Sequence, residues 1–197
     1  MKIITIPHPT LRKTAQAITK VDEQLIKFTT ELEKTLDKSR NPRGVGLAAP
    51  QVDKLWRIFA ASLSFSENLG QPGDRPEGKI HHFINPVISR ACKRKKVLGV
   101  NPTDPDLEGC LSIPGLYGPI PRHRWVELEF QTLEDGSLRD HKKRFDGFNA
   151  RIIQHELDHL DGILFTDYSL EKDLPVYRYS DDGKRLMEID KELIKVI

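Results

Sequence analysis

The sequence predicts an α+β fold in which a mixed, mostly antiparallel sheet packs around a central helix bearing metal-ligand residues. Three patterns predict it. Ile153, Leu157, Leu160 and Leu164 recur at helical spacing across the stretch that also holds Gln154-His-Glu-Leu-Asp-His159. Trp125 to Leu133 alternates apolar and polar residues, then Glu134-Asp-Gly-Ser137 turns the chain into a returning segment, Leu138 to Phe145, as an antiparallel hairpin requires. Leu55 to Ser62, with Trp56 and Phe59, and His81 to Ser89, with Phe83, Ile84, Val87 and Ile88, supply two more strands.

At 197 residues the chain can bury a sizeable core, and residues 1–197 read as one domain. A hydrophobic content of 38% and a net charge of +2 describe an ordinary globular protein, with neither DNA nor a membrane as partner. The start, Met1 to Pro7, lacks the apolar core of a signal peptide, and no run reaches transmembrane length. Two cysteines in different contexts fit a reducing compartment, so the expected location is cytoplasmic.

In chain order, Pro7-His-Pro-Thr-Leu11 is held extended by its prolines along the domain edge, with His8 a surface residue. Asp22 is a good N-cap for a helix over 22–38 whose Leu25, Phe28 or Thr29, Leu32 and Leu36 face a core. Arg40-Asn-Pro-Arg-Gly44 breaks that helix and leads into Gly44-Val-Gly-Leu-Ala-Ala-Pro-Gln51. The glycines there allow close approach of another chain, so a peptide beside Val45 and Gly46 could pair as an added strand; a simple turn is the plainer reading. Residues 64–78 are dense in turn formers and read as an exposed loop. His81 and His82 alternate across a strand and cannot share one metal. Arg90-Ala-Cys-Lys-Arg-Lys-Lys96 reads either as a solvated edge strand or as a contact for ribosomal RNA. Asn101 to Asp106 reads as a rigid acidic loop, and Ile113 to Arg122 as irregular. Val176-Tyr-Arg-Tyr179 and the Asp181-Asp-Gly183 turn read as a hairpin, followed by a short helix.

The chemistry concentrates on the predicted helix. Asp146 and Asn149 offer oxygens at its start, Gly162 a stop, and the face with Ile152, His155, Glu156 and His159 turns away from the apolar stripe. Four helical residues advance about 6 Å and rotate about 400°, so His155 and His159 can ligate one ion. Glu156 is offset by one step, the placement of a general base acting on a metal-bound water in H-E-x-x-H hydrolases. A catalytic site needs a third protein ligand. No histidine follows His159, whereas Glu108-Gly-Cys-Leu-Ser112 holds Cys110; the other cysteine, Cys92, lies in a basic segment without ligand types beside it. Two alternatives stay open: a general zinc peptidase with Glu171 or Glu188 as third ligand, and a binding module whose ion serves only the fold. A Cys/His/His set suits Zn2+ and also accepts Fe2+, Ni2+ or Co2+.

Taken in order, Gly44–Gln51, Glu108–Ser112 and Gln154–His159, with the flanks Ala150-Arg151 and Leu160-Asp-Gly-Ile-Leu-Phe165, resemble the peptide deformylase family from about Ile3 to Asp167. The resemblance implies an enzyme that removes the N-formyl group from N-terminal methionine of newly synthesised polypeptides and releases formate. It implies one divalent metal, Fe2+ in the active form, held by Cys110, His155 and His159. Glu156 would shuttle the proton, and Gln51 with the backbone N–H of Leu111 would hold the oxyanion. Val45, Phe148 and Ile152 would form the methionine slot, and the helix over 22–38 would pack against the metal-bearing one. One departure is visible: Tyr117 stands where many members carry an arginine that holds the peptide. Arg122 matches a family arginine and is expected to pair with Glu108, bracing the loop that bears Cys110.

Overall fold

The computed structural model describes residues 1–39, 44–63, 79–93, 95–97 and 107–195. The expected helix break at 40–43, the loop at 64–78 and the acidic loop at Asn101–Asp106 lie outside them. The chain runs α1 (Glu23–Lys38), β1 (Gly46–Ala48), β2 (Ile58–Ser62), β3 (Ile80–Ala91), β4 (Lys95–Val97), β5 (Glu108–Cys110), β6 (Ile113–Gly118), β7 (Pro121–His123), β8 (Trp125–Glu134) and β9 (Ser137–Asp146). It continues through α2 (Gly147–Leu160), α3 (Phe165–Glu171), β10 (Tyr177–Tyr179), β11 (Leu186–Glu188) and α4 (Glu192–Lys195), with 3₁₀ turns at Pro9–Arg12 and Ala49–Val52.

The strands form one sheet in the order β1-β2-β3-β8-β9, a second in the order β11-β10-β6-β5, and the pair β4-β7. All these pairings are antiparallel, and Gln16 and Trp56 form an isolated parallel bridge. The β8–β9 hairpin follows the predicted turn, with Asp135 and Gly136 at φ 49° and 74°, the mirror-image turn that suits strand twist. Asp22 caps α1 by accepting from Leu25 N at 3.0 Å.

Strand β2 is buried along its whole length because helices cover both of its faces. Ile58 and Ala60 meet residues of α1, such as Leu25, Leu32 and Leu36, while Phe59 and Ala61 meet Ile153 and Leu157 of α2. The two helices therefore lie on opposite faces of the sheet. This corrects the expectation that α1 packs on the metal-bearing helix: alternation along β2 provides an apolar face for each.

Three further readings change. Ile113–Arg122 is not irregular but forms β6 and β7; its prolines and glycines mask strand character that β6 owes to partners distant in sequence, β5 on one side and β10 on the other. Leu164 leaves α2 and stands at the start of α3, a helix the sequence reading omits. The face of α2 with Ile152, Glu156 and His159 does not look away from the core, since all three are buried, leaving α2 enclosed on nearly every side.

Candidate metal centre

Position along α2 is fixed at its C-terminal end. Gly162, at φ 75°, closes the C-terminus: Gly162 N donates to His159 O at 3.3 Å and Ile163 N to Asp158 O at 2.8 Å, the double bond of a Schellman ending. Asp146 occupies the N-cap position, yet its carboxylate is engaged by Arg144 rather than by the helix. Gln154 replaces a strand partner for β7, donating to His123 O and accepting from His123 N, both at 2.9 Å. The N-terminal segment ties the remaining two motifs together, since Ile4 N donates to Gln51 O at 2.9 Å and Ile6 N to Ser112 O at 3.0 Å.

These ties bring Cys110, His155 and His159 together, with ligand atoms all within 4.8 Å of one another. Cys110 Sγ and His159 Nε2 are 3.1 Å apart, and the two imidazoles stand nearly perpendicular at 85°. His155 Nδ1 lies 2.7 Å from Glu108 Oε1. A carboxylate only accepts, so Nδ1 carries a proton and Nε2 is the nitrogen left to face a ligand. Burial opposes charge on this ring, but Glu108 and Cys110 outweigh it and hold its pKa well above the ordinary value. Burial pulls the His159 pKa well below its ordinary value, aided by His155, and keeps that ring neutral. Burial would also raise Glu108, but Arg122 and His155 outweigh it and hold its carboxyl well below the usual range. One thiol and two imidazoles on buried, fixed elements match the donor set of a divalent transition metal. Among the described residues no other such cluster occurs, and the alternative ligands do not compete. Glu171 is exposed against Lys172, and Glu188 is exposed on β11, at the edge of its sheet farthest from β5.

Glu156 explains the glycine of the first motif. A Cβ built on Gly46 would lie 2.1 Å from Glu156 Oε1, so the bare Cα makes room for the carboxylate. Its other oxygen, Oε2, is buried without a hydrogen-bond partner among the described residues, a costly arrangement unless something else occupies the space before it. Gln51 is buried with its amide oriented: Oε1 accepts from Ala48 N at 2.8 Å, and Nε2 points to Ser112 Oγ at 3.2 Å and Cys110 Sγ at 3.6 Å. Gly46→Ala should displace the Glu156 carboxylate and lower kcat by about 10²-fold, the cost of a misplaced catalytic group, with metal content retained. Unchanged kcat in that variant would show that the carboxylate does not depend on this space.

A model of the polypeptide deformylase family matches residues 1–173. The chain belongs to that family. It is 40% identical over 167 residues to a peptide deformylase of Rhodopirellula baltica, covering 85% of this chain and 72% of the relative. It is likewise 40% identical to one of Thermomicrobium roseum, covering 84% and 83%. Among solved structures, a Synechococcus elongatus peptide deformylase in complex with actinonin superposes with a TM-score of 0.68 at 30% identity, over 85% of this chain and 77% of that one. A Legionella pneumophila peptide deformylase gives 0.68 at 29%, over 85% and 84%.

The residues that the deformylase resemblance assigned to substrate also converge. Val45, Phe148 and Ile152 share one apolar cluster. Leu111 follows Cys110 and packs with Leu36 and Leu47, its Cδ1 2.8 Å from where a Cβ of Gly44 would be. On β1 the backbone groups divide. Ser62 N donates to Val45 O at 2.9 Å, which makes Gly46 and Ala61 a non-hydrogen-bonded pair and turns the N–H and C=O of Gly46 toward the open edge. Of the two residues expected to pair with a peptide, Gly46 offers both groups, and the carbonyl of Val45 is already used.

The expected Glu108–Arg122 pair is present, with Arg122 Nε and Nη2 donating to the carboxylate at 3.0 and 2.5 Å. It is larger than the sequence reading allowed. Arg122 Nη1 also donates to Asp158 Oδ2 at 2.6 Å, Arg151 Nε lies 3.4 Å from Glu108 Oε2, and Tyr168 of α3 donates its hydroxyl to Asp158 Oδ1 at 3.1 Å. Asp158 sits inside the second-histidine motif, but nothing in the sequence marks its partners, which come from β7 and α3.

Proposed function

We propose that residues 1–197 act as one catalytic unit that hydrolyses the formamide of N-formyl-methionyl peptides to formate and a free amino terminus. The observation that carries this is the unpartnered, buried Oε2 of Glu156 beside a clustered Cys110, His155 and His159. Belonging to a family of metal-dependent deformylases supplies the reaction class.

The peptide enters as a strand along the open edge of β1, where Gly46 offers N–H and C=O in a sequence-tolerant way. The methionine side chain goes into the cluster of Val45, Phe148 and Ile152. Cys110, His155 and His159 would hold a divalent ion, which would polarise the formyl carbonyl and lower the pKa of a coordinated water. Glu156 takes a proton as the water oxygen adds to the formyl carbon and returns it to the nitrogen as the C–N bond breaks. Nε2 of Gln51 and the N–H of Leu111 donate to the oxygen that gains negative charge. Glu108 fixes the His155 ring, and Arg122 fixes Glu108.

Ferrous iron is the proposed native metal and the cytoplasm the proposed location. No helix among the described residues is long and apolar enough to cross a membrane. Transient contact with ribosomal RNA through the basic run from Arg90 is part of the same proposal. In the described portion of that run, Arg90 Nη1 lies 3.4 Å from Glu127.

The test is turnover of formyl-Met-Ala by protein purified anaerobically, compared between iron-loaded and zinc-loaded forms. Formate release is expected from both, faster with iron and lost in air. Cys110→Ser should lower bound metal to well below one ion per chain; an unchanged content would remove Cys110 from the ligand set.

A further inference from the structure

The carboxy-terminal hairpin lies beyond the segment matched by the family model, yet it builds onto the sheet that carries Cys110. Strand β10 pairs with β6 so that Tyr177 faces Tyr117 and Arg178 faces Leu116. On the other side of β6, Tyr117 faces Gly109 of β5. Side chains alternate along each strand, which sorts these residues between two faces. Glu108 and Cys110 turn inward to α2, where they meet His155 and His159. Gly118 also turns inward, where an added Cβ would meet Ser169 and Phe165 of α3. Gly109, Tyr117, Tyr177 and Tyr179 therefore share the outer face.

On that face the rings cover the glycine. A Cβ on Gly109 would lie 2.9 Å from both Cδ1 and Cε1 of Tyr117, so the ring lies against the backbone next to Cys110. Tyr179 packs edge-on against it, with centroids 5.4 Å apart at 75°, and stays 48% exposed. Among the described residues β5 is an edge strand, like β1. A peptide strand that sends its methionine inward to Phe148 and Ile152 must send the next side chain outward, onto these rings.

We propose that Tyr117 and Tyr179 form an aromatic shelf that receives the side chain of the residue following formyl-methionine, making the hairpin β10–β11 a specificity element of the site. The preferred occupant is an aromatic or long apolar side chain, which can lie on ring faces and gain from edge-to-face contact. This rests on the deformylase function proposed above.

The experiment compares kcat/KM for formyl-Met-Phe-Ala and formyl-Met-Ser-Ala, which offer the same backbone. The unmodified enzyme should favour the phenylalanine peptide by about three- to ten-fold, the range of one aromatic contact. In Tyr179→Ala the ratio should fall toward one, mainly through KM, whereas Tyr179→Phe should keep it. A ratio that Tyr179→Ala leaves intact, or a uniform loss on both peptides, overturns the proposal. Turnover of formyl-Met-Ala by the unmodified enzyme tests the underlying function separately. Should that turnover be absent, the same comparison on the Kd values of Met-Phe-Ala and Met-Ser-Ala decides the shelf, with equal Kd values in the unmodified protein overturning it.

Discussion

Replacing Glu156 by glutamine is expected to lower kcat on formyl-Met-Ala by about 10²- to 10⁴-fold with bound metal unchanged. Glutamine keeps the size that fits beside Gly46, but it cannot take a proton from water. Glu156 is 3% exposed, and burial pushes its pKa up to about 7 against the lowering effect of His155 and Arg122. A divalent ion at Cys110, His155 and His159 would pull it down again, favouring the ionised base. Because the lost step belongs to the chemistry, kcat and kcat/KM should fall together, leaving KM near its original value. Turnover within a few-fold of the unmodified enzyme would take the base role away from this residue.

Arg122→Ala should cost about 3–5 kcal/mol of folding stability, the penalty for leaving buried charge without its partner. Arg122 is 4% exposed and serves two carboxylates at once, Glu108 at 5% and Asp158 at 15%. Removing it leaves both against a protein interior that cannot solvate them. The arginine itself is held above its ordinary pKa: burial opposes its charge, and the two carboxylates more than compensate. Urea unfolding of Arg122→Ala, Glu108→Ala and the double variant measures the coupling. The double loss should be smaller than the sum of the single losses, and simple additivity would show that the pair does not act as a unit. Loss of metal affinity should accompany the stability loss, because Glu108 orients His155.

The sequence alone determined the parts of this protein that depend on local spacing. His155 and His159 fall on one side of a helix because four residues nearly complete one turn, and Glu156 is adjacent by the same arithmetic. The cap at Asp22, the stop at Gly162 and the hairpin turn at Asp135-Gly136 follow from side-chain or backbone preferences that act within a few residues. Cys110 was reachable by elimination among few ligand types and by the resemblance of three ordered motifs. Only the tertiary structure decided how distant segments meet. It enclosed α2 on nearly every side, set α1 on the opposite face of β2, gave Arg122 a second carboxylate at Asp158, and laid the β10–β11 hairpin beside Tyr117. It also supplied the reason for Gly46, which reads locally as a turn residue and is required because a buried carboxylate from a segment 110 positions later occupies the space of its missing side chain. Such contacts are set by packing between elements remote in sequence, and their partners leave no periodic trace in the chain.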